Sequence, residues 1–398
     1  MPVRERWYGE ISSDWTGVAG DFARNNPIVY KDMVILGDQA GNKANWDSSQ
    51  SKILGDGAKI IAVDAHSGNK IWVTQVEAYP TAMVTSSPVV FNDVVYVGIA
   101  SAEENLAATL GAACCYTRGS VVALDVKTGK ILWQTYTVPD NGGLTGGYSG
   151  GGIRDSTPVI DAKRNSIYVG TGNNYSVPIS VETCFAQNNK NPSCTDSTDY
   201  FDSVVALDLN SGKIKWAKWA LYYDAWNVNC IETVTPPSPI PSFAPGPNCP
   251  FPNGPDFDFG GPGPNLYSVE SGEEHGRGRD ILGVGEKSGI YWALNPDDGT
   301  VVWNAQVGPG SALGGIEWGT AFDGKHIYVP ISNQFSIPYA LAPSGGRSTV
   351  DRGPPWILGP ARSYGRLACQ GAVQVRFPMW RRAAWGSDRQ VSPMELSS

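Results

Sequence analysis

Among the seven cysteines of this sequence, six fall in pairs: Cys114 beside Cys115, Cys184 and Cys194 around a polar insertion, and Cys230 and Cys249 around a Pro-rich one. That pattern suits disulfide staples on loops in an oxidising compartment. Free thiols of a cytosolic protein are the alternative, because spacing does not fix connectivity. No CxxCH motif occurs, so the chain itself carries no c-type haem. His66, His275 and His326 show no metal-ligand spacing and receive no role. Polar groups also stand at the ends of apolar runs: Glu103 with Glu104, Asn173, Asp224 and Lys287. Taken alone, each has an ordinary reading, respectively a solvated loop pair, a turn cap, a backbone-bonding carboxylate and a strand-end charge.

The elements that must position these groups come from a repeat. Gly119–Trp133 reads GSVVALDVKTGKILW, two apolar runs joined by an Asp and a Thr-Gly turn, which predicts a hairpin. Gly57–Trp72, Asp202–Trp216 and Ser288–Trp303 repeat the phrase, each with Asp or Asn followed four residues later by Gly and eight later by Trp. Second hairpins are expected at Asn26–Leu36, Ser87–Gly98, Thr157–Gly170 and Ala321–Pro330. Two hairpins make four antiparallel strands, the content of one β-propeller blade, and no blade buries both faces until neighbours stack on it. The fold class expected is therefore all-β, a propeller of four blades and part of a fifth. Trp-to-Trp spacings of 61, 83 and 87 residues exceed the roughly 40–50 of compact blades, which places the excess in long loops. One tryptophan per repeat predicts equivalent buried places for Trp72, Trp133, Trp216 and Trp303 between neighbouring sheets.

Composition agrees. The chain has 398 residues, 41% hydrophobic, with 47 Gly and 29 Pro, which suits turn-rich β structure. A net charge of −8 without a basic cluster argues against a nucleic-acid partner. No apolar run is long enough for a membrane span, and the opening residues lack a secretory signal pattern. The Gly-rich link Asp140–Arg154 bridges two blades or brings backbone close to a ligand, the bridge being preferred. Residues 220–276 are too rich in Pro and Gly for regular structure.

Residues 1–344 form the partial propeller in this reading, and 345–398 a tail without the repeat. PPWILGPARSYG at Pro354–Gly365 can be back-translated so that another frame reads ALDPGTGEVLW, the repeat phrase at the place the fifth blade needs it. A frameshift between about Leu341 and Pro354 is the expectation.

Repeats of the form VVALDxxTGKxxW resemble the blades of pyrroloquinoline quinone (PQQ) dependent dehydrogenases, nearest to the polyvinyl-alcohol dehydrogenase-like branch, over about Ser13–Ser344. The resemblance implies an eight-bladed propeller of which this chain is a fragment, an alcohol or polyol substrate, PQQ with calcium as the cation, and an external electron acceptor in an extracytoplasmic compartment. Glu103 in VGIASAE resembles the family's metal-binding Glu, and Asn173 in YVGTGN its metal-binding Asn. Lys287 in EKSGIYWALN resembles the Lys or Arg that contacts the quinone. Adjacent cysteines lie beside the quinone in alcohol dehydrogenases of this type, which makes Cys114 and Cys115 cofactor contacts joined to each other, with Cys184–Cys194 and Cys230–Cys249 as loop closures. The family's HDxWD segment aligns with Tyr223–Asn227, so its base position holds Asn227, and Asp224 is the carboxylate that could replace it. The Trp that stacks on the quinone should fall at Arg154–Asp155, where no ring stands. Two functions follow: a quinoprotein oxidising an alcohol, or a catalytically silent propeller that binds a ligand or partner. The four groups Glu103, Asn173, Asp224 and Lys287 are expected to converge at one mouth of the propeller.

Overall fold

In the computed structural model, residues 13–109, 112–188, 191–230, 247–250, 255–269, 278–312, 314–324, 326–333, 338–339 and 372–376 are described. Three four-stranded antiparallel sheets and one five-stranded sheet, the second in order, follow one another along the chain. Sheet 1 holds Ile28–Tyr30, Met33–Gly37, Ala58–Asp64 and Lys70–Glu77. Sheet 2 holds Val89–Phe91, Val94–Ser101, Ser120–Asp125 and Ile131–Tyr136, with Ala82–Met83 also on its second strand. Sheet 3 holds Val159–Asp161, Ser166–Gly170, Ser203–Asp208 and Ile214–Trp219. In sheet 4 the strands are Asn265–Val269, Arg279–Gly285, Ile290–Leu294 and Val301–Gln306. Each predicted hairpin is present. The first hairpin of sheet 4 was not foreseen, because its two strands are joined by a long polar stretch rather than by a tight turn.

The repeat phrase encodes the joint between sheets. Its Asp closes its own turn: Asp125 Oδ1 accepts from the Lys127 and Thr128 N–H groups and the Thr128 hydroxyl. Asp64 and Asp208 do the same. The turn Gly has positive φ at Gly129, Gly212 and Gly299, and a Cβ there would strike the ring of Trp72, Trp133 and Trp216 of the preceding sheet. Those indoles donate across to the carbonyls of Val126, Leu209 and Pro296. Trp72 is buried, whereas Trp133, Trp216 and Trp303 are half-buried, short of the uniformly buried places the repeat predicts. One residue of the fourth strand bulges beside each Trp, at Ala62/Val63, Ala123/Leu124, Ala206/Leu207 and Ala293/Leu294 of the facing strand.

A second joint works at the other end of the sheets. A Cβ at Gly37, Gly98, Gly170 or Gly285 would strike Val84, Ile153, Phe259 or Ile316 at the entrance to the following sheet. The N–H groups of those four residues donate to the carbonyls of Asp38, Ile99, Thr171 and Glu286. Apolar layers fill the spaces between the sheets. The Gly-rich link is a bridge that also packs closely: Ser149–Gly150 pairs with Asn174–Ser176, and Gly151 N donates to Asn173 O.

A fifth sheet has Ala321–Phe322 and His326–Pro330 as expected, and its third place is taken by Ala372–Arg376 of the tail. The stretch carrying the frameshift expectation, 341–365, lies outside the described residues. No helix among those described is long and apolar enough to cross a membrane.

Candidate active site

The joint around Gly37, Gly98, Gly170 and Gly285 brings the polar groups together. Ile153 and Phe259 are both seating residues there, and each carries a charge next to it in sequence, Arg154 after the first and Asp258 before the second. Lys287 follows Glu286 at the end of the second strand of sheet 4, and its N–H donates to Asp258 O. Arg154 Nη1 lies 2.9 Å from Glu104 Oε2 and its Nη2 lies 2.7 Å from Asp258 Oδ2. Lys287 Nζ lies 3.0 Å from Asp256 Oδ1 and 3.3 Å from Asp258 Oδ2. Asp258 is thus held between two cations from different sheets.

The cluster is dominated by acids. Glu104, Asp202, Asp224, Asp256, Asp258 and Glu286 are all buried, against Lys287 and Arg154. Burial alone would push Asp258 up, but Arg154 and then Lys287 overrule it and hold its carboxyl at about 2. Burial and the adjacent Arg154 oppose the charge on Lys287, and Asp256 and Asp258 outweigh them, so its pKa stands above that of an ordinary lysine. Burial, then repulsion from Asp258, lifts Asp224 to about 7 although the Phe257 N–H and Lys287 work the other way. Burial lifts Glu286 to about 8 despite the Trp292 indole N–H on its Oε2. Asp258 is the member held lowest, while burial raises Asp224 and Glu286 toward neutrality.

The residues singled out from the sequence fall around this centre in different ways. Lys287 is in it. Asp224 is buried beside it, its two oxygens accepting from the N–H groups of Asp256 and Phe257. Asn173 is fully buried; its Nδ2 donates to Asn174 O and Trp226 O, and its Oδ1 has no donor. It follows Gly172, where a Cβ would sit 3.8 Å from Asp258 Oδ2. Glu103 is buried on the far side of its short helix, Glu103–Leu106, and its carboxylate accepts from the N–H groups of Tyr116 and Thr117 and from the Tyr79 hydroxyl. Its neighbour Glu104 is the one that reaches Arg154. Cys114 and Cys115 are bonded to each other and pack with Ala107 against Tyr175. The other two pairs, Cys184–Cys194 and Cys230–Cys249, are bonded as expected. Asn227 spends its amide on the carbonyls of Tyr175 and Asn248.

Sequence reasoning gave Arg154 and Glu104 no site role and missed Asp256, Asp258 and Glu286. The available signal was PDFDFGG at 255–261, two acids alternating with Phe directly before an apolar strand.

Arg154 and Lys287 are each already paired with carboxylates, so a quinone would meet them as hydrogen-bond donors to its carbonyl oxygens rather than as free positive charge. The ownerless Asn173 Oδ1, with carboxylate oxygens in excess over cations, suits a hard cation that takes oxygen ligands. Among the described residues no three His, Cys, Asp or Glu side chains converge on one metal-sized point, so such an ion would draw on amide oxygen as well as carboxylate.

Comparison with known proteins agrees with the repeat. A PQQ_2 family model, described as outer membrane protein assembly factor BamB, matches residues 5–218, more than half of the chain. The polyvinylalcohol dehydrogenase of a Pseudomonas species is 33% identical over 283 residues, covering 69% of this chain and 38% of that protein. The polyvinylalcohol dehydrogenase of Sphingopyxis is 35% identical over 284 residues, with the same shares, 69% and 38%. The chain thus spans less than half the length of these relatives. Among solved structures, the quinohemoprotein alcohol dehydrogenase ADHIIG of Pseudomonas putida superposes with a TM-score of 0.53 at 18% identity, covering 78% of this chain and 44% of that one. The Comamonas testosteroni enzyme gives 0.51 at 19% identity, with the same shares, 78% and 44%. Both share the fold.

Proposed function

The chain belongs to the PQQ-dependent (quinoprotein) dehydrogenase superfamily, and from that premise we propose that it forms part of an oxidoreductase that oxidises an alcohol, in the manner of its polyvinylalcohol dehydrogenase relatives. The observation that carries this reading is the buried cluster in which Asp258 lies between Arg154 and Lys287 with Asp224 beside it. Lys287 and Arg154 would hold the quinone's oxygens, and Asn173 Oδ1 with nearby carboxylates would hold a calcium-like cation. Cys114 and Cys115 lie one layer behind, against Tyr175. When bound, PQQ supplies the hydride acceptor, and an external acceptor then takes the electrons.

The chain's own residues handle the proton. A buried carboxylate raised to about 7 can take the hydroxyl proton of an alcohol near neutral pH, whereas one held at about 2 between two cations is too weak a base. Asp224 is the carboxylate we assign to that step, and Asp258 holds Arg154 and Lys287 in place. Glu286 lies near Asp224, with a pKa raised to about 8 that suits onward acceptance of the proton. Three disulfides support an oxidising compartment for the protein.

One observation favours the alternative, a catalytically silent binding propeller: Asn227, at the family's base position, is used up in structural hydrogen bonds. Titration with PQQ and calcium separates the two. Saturable change in quinone absorbance at micromolar cofactor, with dye reduction on adding an alcohol, is expected for the quinoprotein; no binding would leave the silent propeller.

A further inference from the structure

We infer that Asn248 is a positioning residue that fastens the loop bearing Cys114 and Cys115 against the strand Asn174–Ser176. Its Nδ2 donates to Ala107 O at 2.9 Å and to Ala112 O at 3.0 Å, across 141 and 136 positions of sequence. Those carbonyls belong to the stretch that leads into Cys114. Its own carbonyl accepts from Asn227 Nδ2 at 2.8 Å, and the same amide donates to Tyr175 O at 2.9 Å. Tyr175 is the ring on which Cys115 and Ala107 pack. The circuit therefore starts at the loop, passes through Asn248 and Asn227, and returns to the surface under the disulfide.

Two features hold Asn248 where it is. Its N–H donates to Asn229 Oδ1 at 2.7 Å. The next residue, Cys249, is bonded to Cys230, which follows Asn229. The side chain must give two N–H bonds to two carbonyls, which an amide can do and a carboxylate cannot. Asn227 gains a role from this: it is the anchor of the clamp. Cys115 is fully buried and Cys114 half-buried, so movement of the loop governs how readily a reagent in solution reaches the disulfide. If the quinone site is read correctly, the same clamp sets the disulfide's position beside it; that consequence alone rests on the proposed function.

The test needs neither cofactor nor turnover. A small dithiol donates two electrons and two protons to Cys114–Cys115, giving two thiols and the cyclic disulfide of the reagent. Alkylation and peptide mass spectrometry then report the reduction rate of each of the three disulfides in the full chain. Asn248→Ala is expected to speed reduction of Cys114–Cys115 at least tenfold and to leave Cys184–Cys194 unchanged. Asn248→Asp should behave like the alanine variant, because it lacks both donors. An unchanged Cys114–Cys115 rate in folded Asn248→Ala would overturn the inference. Should that variant fail to fold, the parent chain decides. Molecules labelled at Cys114 and Cys115 should also have Cys230–Cys249 open, and a dominant species labelled at 114 and 115 with Cys230–Cys249 intact would overturn it equally. If the parent chain does not bind PQQ while Asn248→Ala shows the expected faster reduction of Cys114–Cys115, the quinone site fails and the clamp stands.

Discussion

The indole of Trp133 lies on Gly212 of the next sheet and donates its N–H to Leu209 O at 3.1 Å. With Trp72 on Gly129 and Trp216 on Gly299, it is one of three copies of a joint that needs a residue without a side chain at positive φ.

Gly212→Ala should therefore destabilise the fold by about 2–4 kcal/mol, summing a left-handed backbone without glycine and a methyl group driven into the ring. Gly142 also has positive φ, but a Cβ there meets nothing within 4 Å. Gly142→Ala should cost only about 1–2 kcal/mol, the backbone part. Denaturant unfolding of both variants measures the difference, and equal losses would remove the steric half of the argument.

Stability should fall as the solution becomes alkaline. Glu286 is raised in the folded chain from the ordinary 4.5 to about 8. The folded state therefore holds a proton that the unfolded state releases, and the stability this gives is complete below 4.5 and lost as pH rises through about 8. Each pH unit in that window removes up to about 1.4 kcal/mol. Glu286→Gln keeps an acceptor for the Trp292 indole and should flatten the decline in melting temperature between pH 5 and 9. A parent profile that is already flat would show Glu286 ionised throughout.

The pH dependence of alcohol oxidation distinguishes two carboxylates. If Asp224 is the base, the rate climbs through about pH 7 as its carboxyl loses the proton. If Asp258 were the base, it would be ionised at every pH from 5 to 9 and the rate would show no rise through pH 7 from this group. In the PQQ-loaded protein, Asp224→Asn is expected to lower kcat by roughly 10²–10⁴-fold, the range typical of a lost general base. Asp258→Asn should instead lower stability, because Arg154 and Lys287 lose the carboxylate they share.

Calcium should raise the melting temperature and a chelator should reverse it. A ligand at a hundred times its Kd adds about 2.7 kcal/mol to the folded state. Asn173→Ala removes the buried Oδ1 that lacks a donor, and the calcium response should vanish in that variant. A response of parent size in Asn173→Ala would move the ion elsewhere.

Much of this was legible in the chain itself. The Asp, Gly and Trp of the repeat act over eight residues, and local turn chemistry with alternating apolar strands writes that directly into sequence. The pairing of Cys184 with Cys194 and of Cys230 with Cys249 was equally local. Lys287 was visible because it ends a strand of the repeat. What only the tertiary structure decided is which charges meet. Arg154 and Asp258 are 104 positions apart and bond because Ile153 and Phe259 are seated on glycines of adjoining sheets. No spacing rule records such a pair, since the distance between them depends on how sheets stack. The division between Glu103, which serves the backbone of 116–117, and Glu104, which serves Arg154, is of the same kind. Neighbours on a one-turn helix point to different sides, and only packing says which side faces the site.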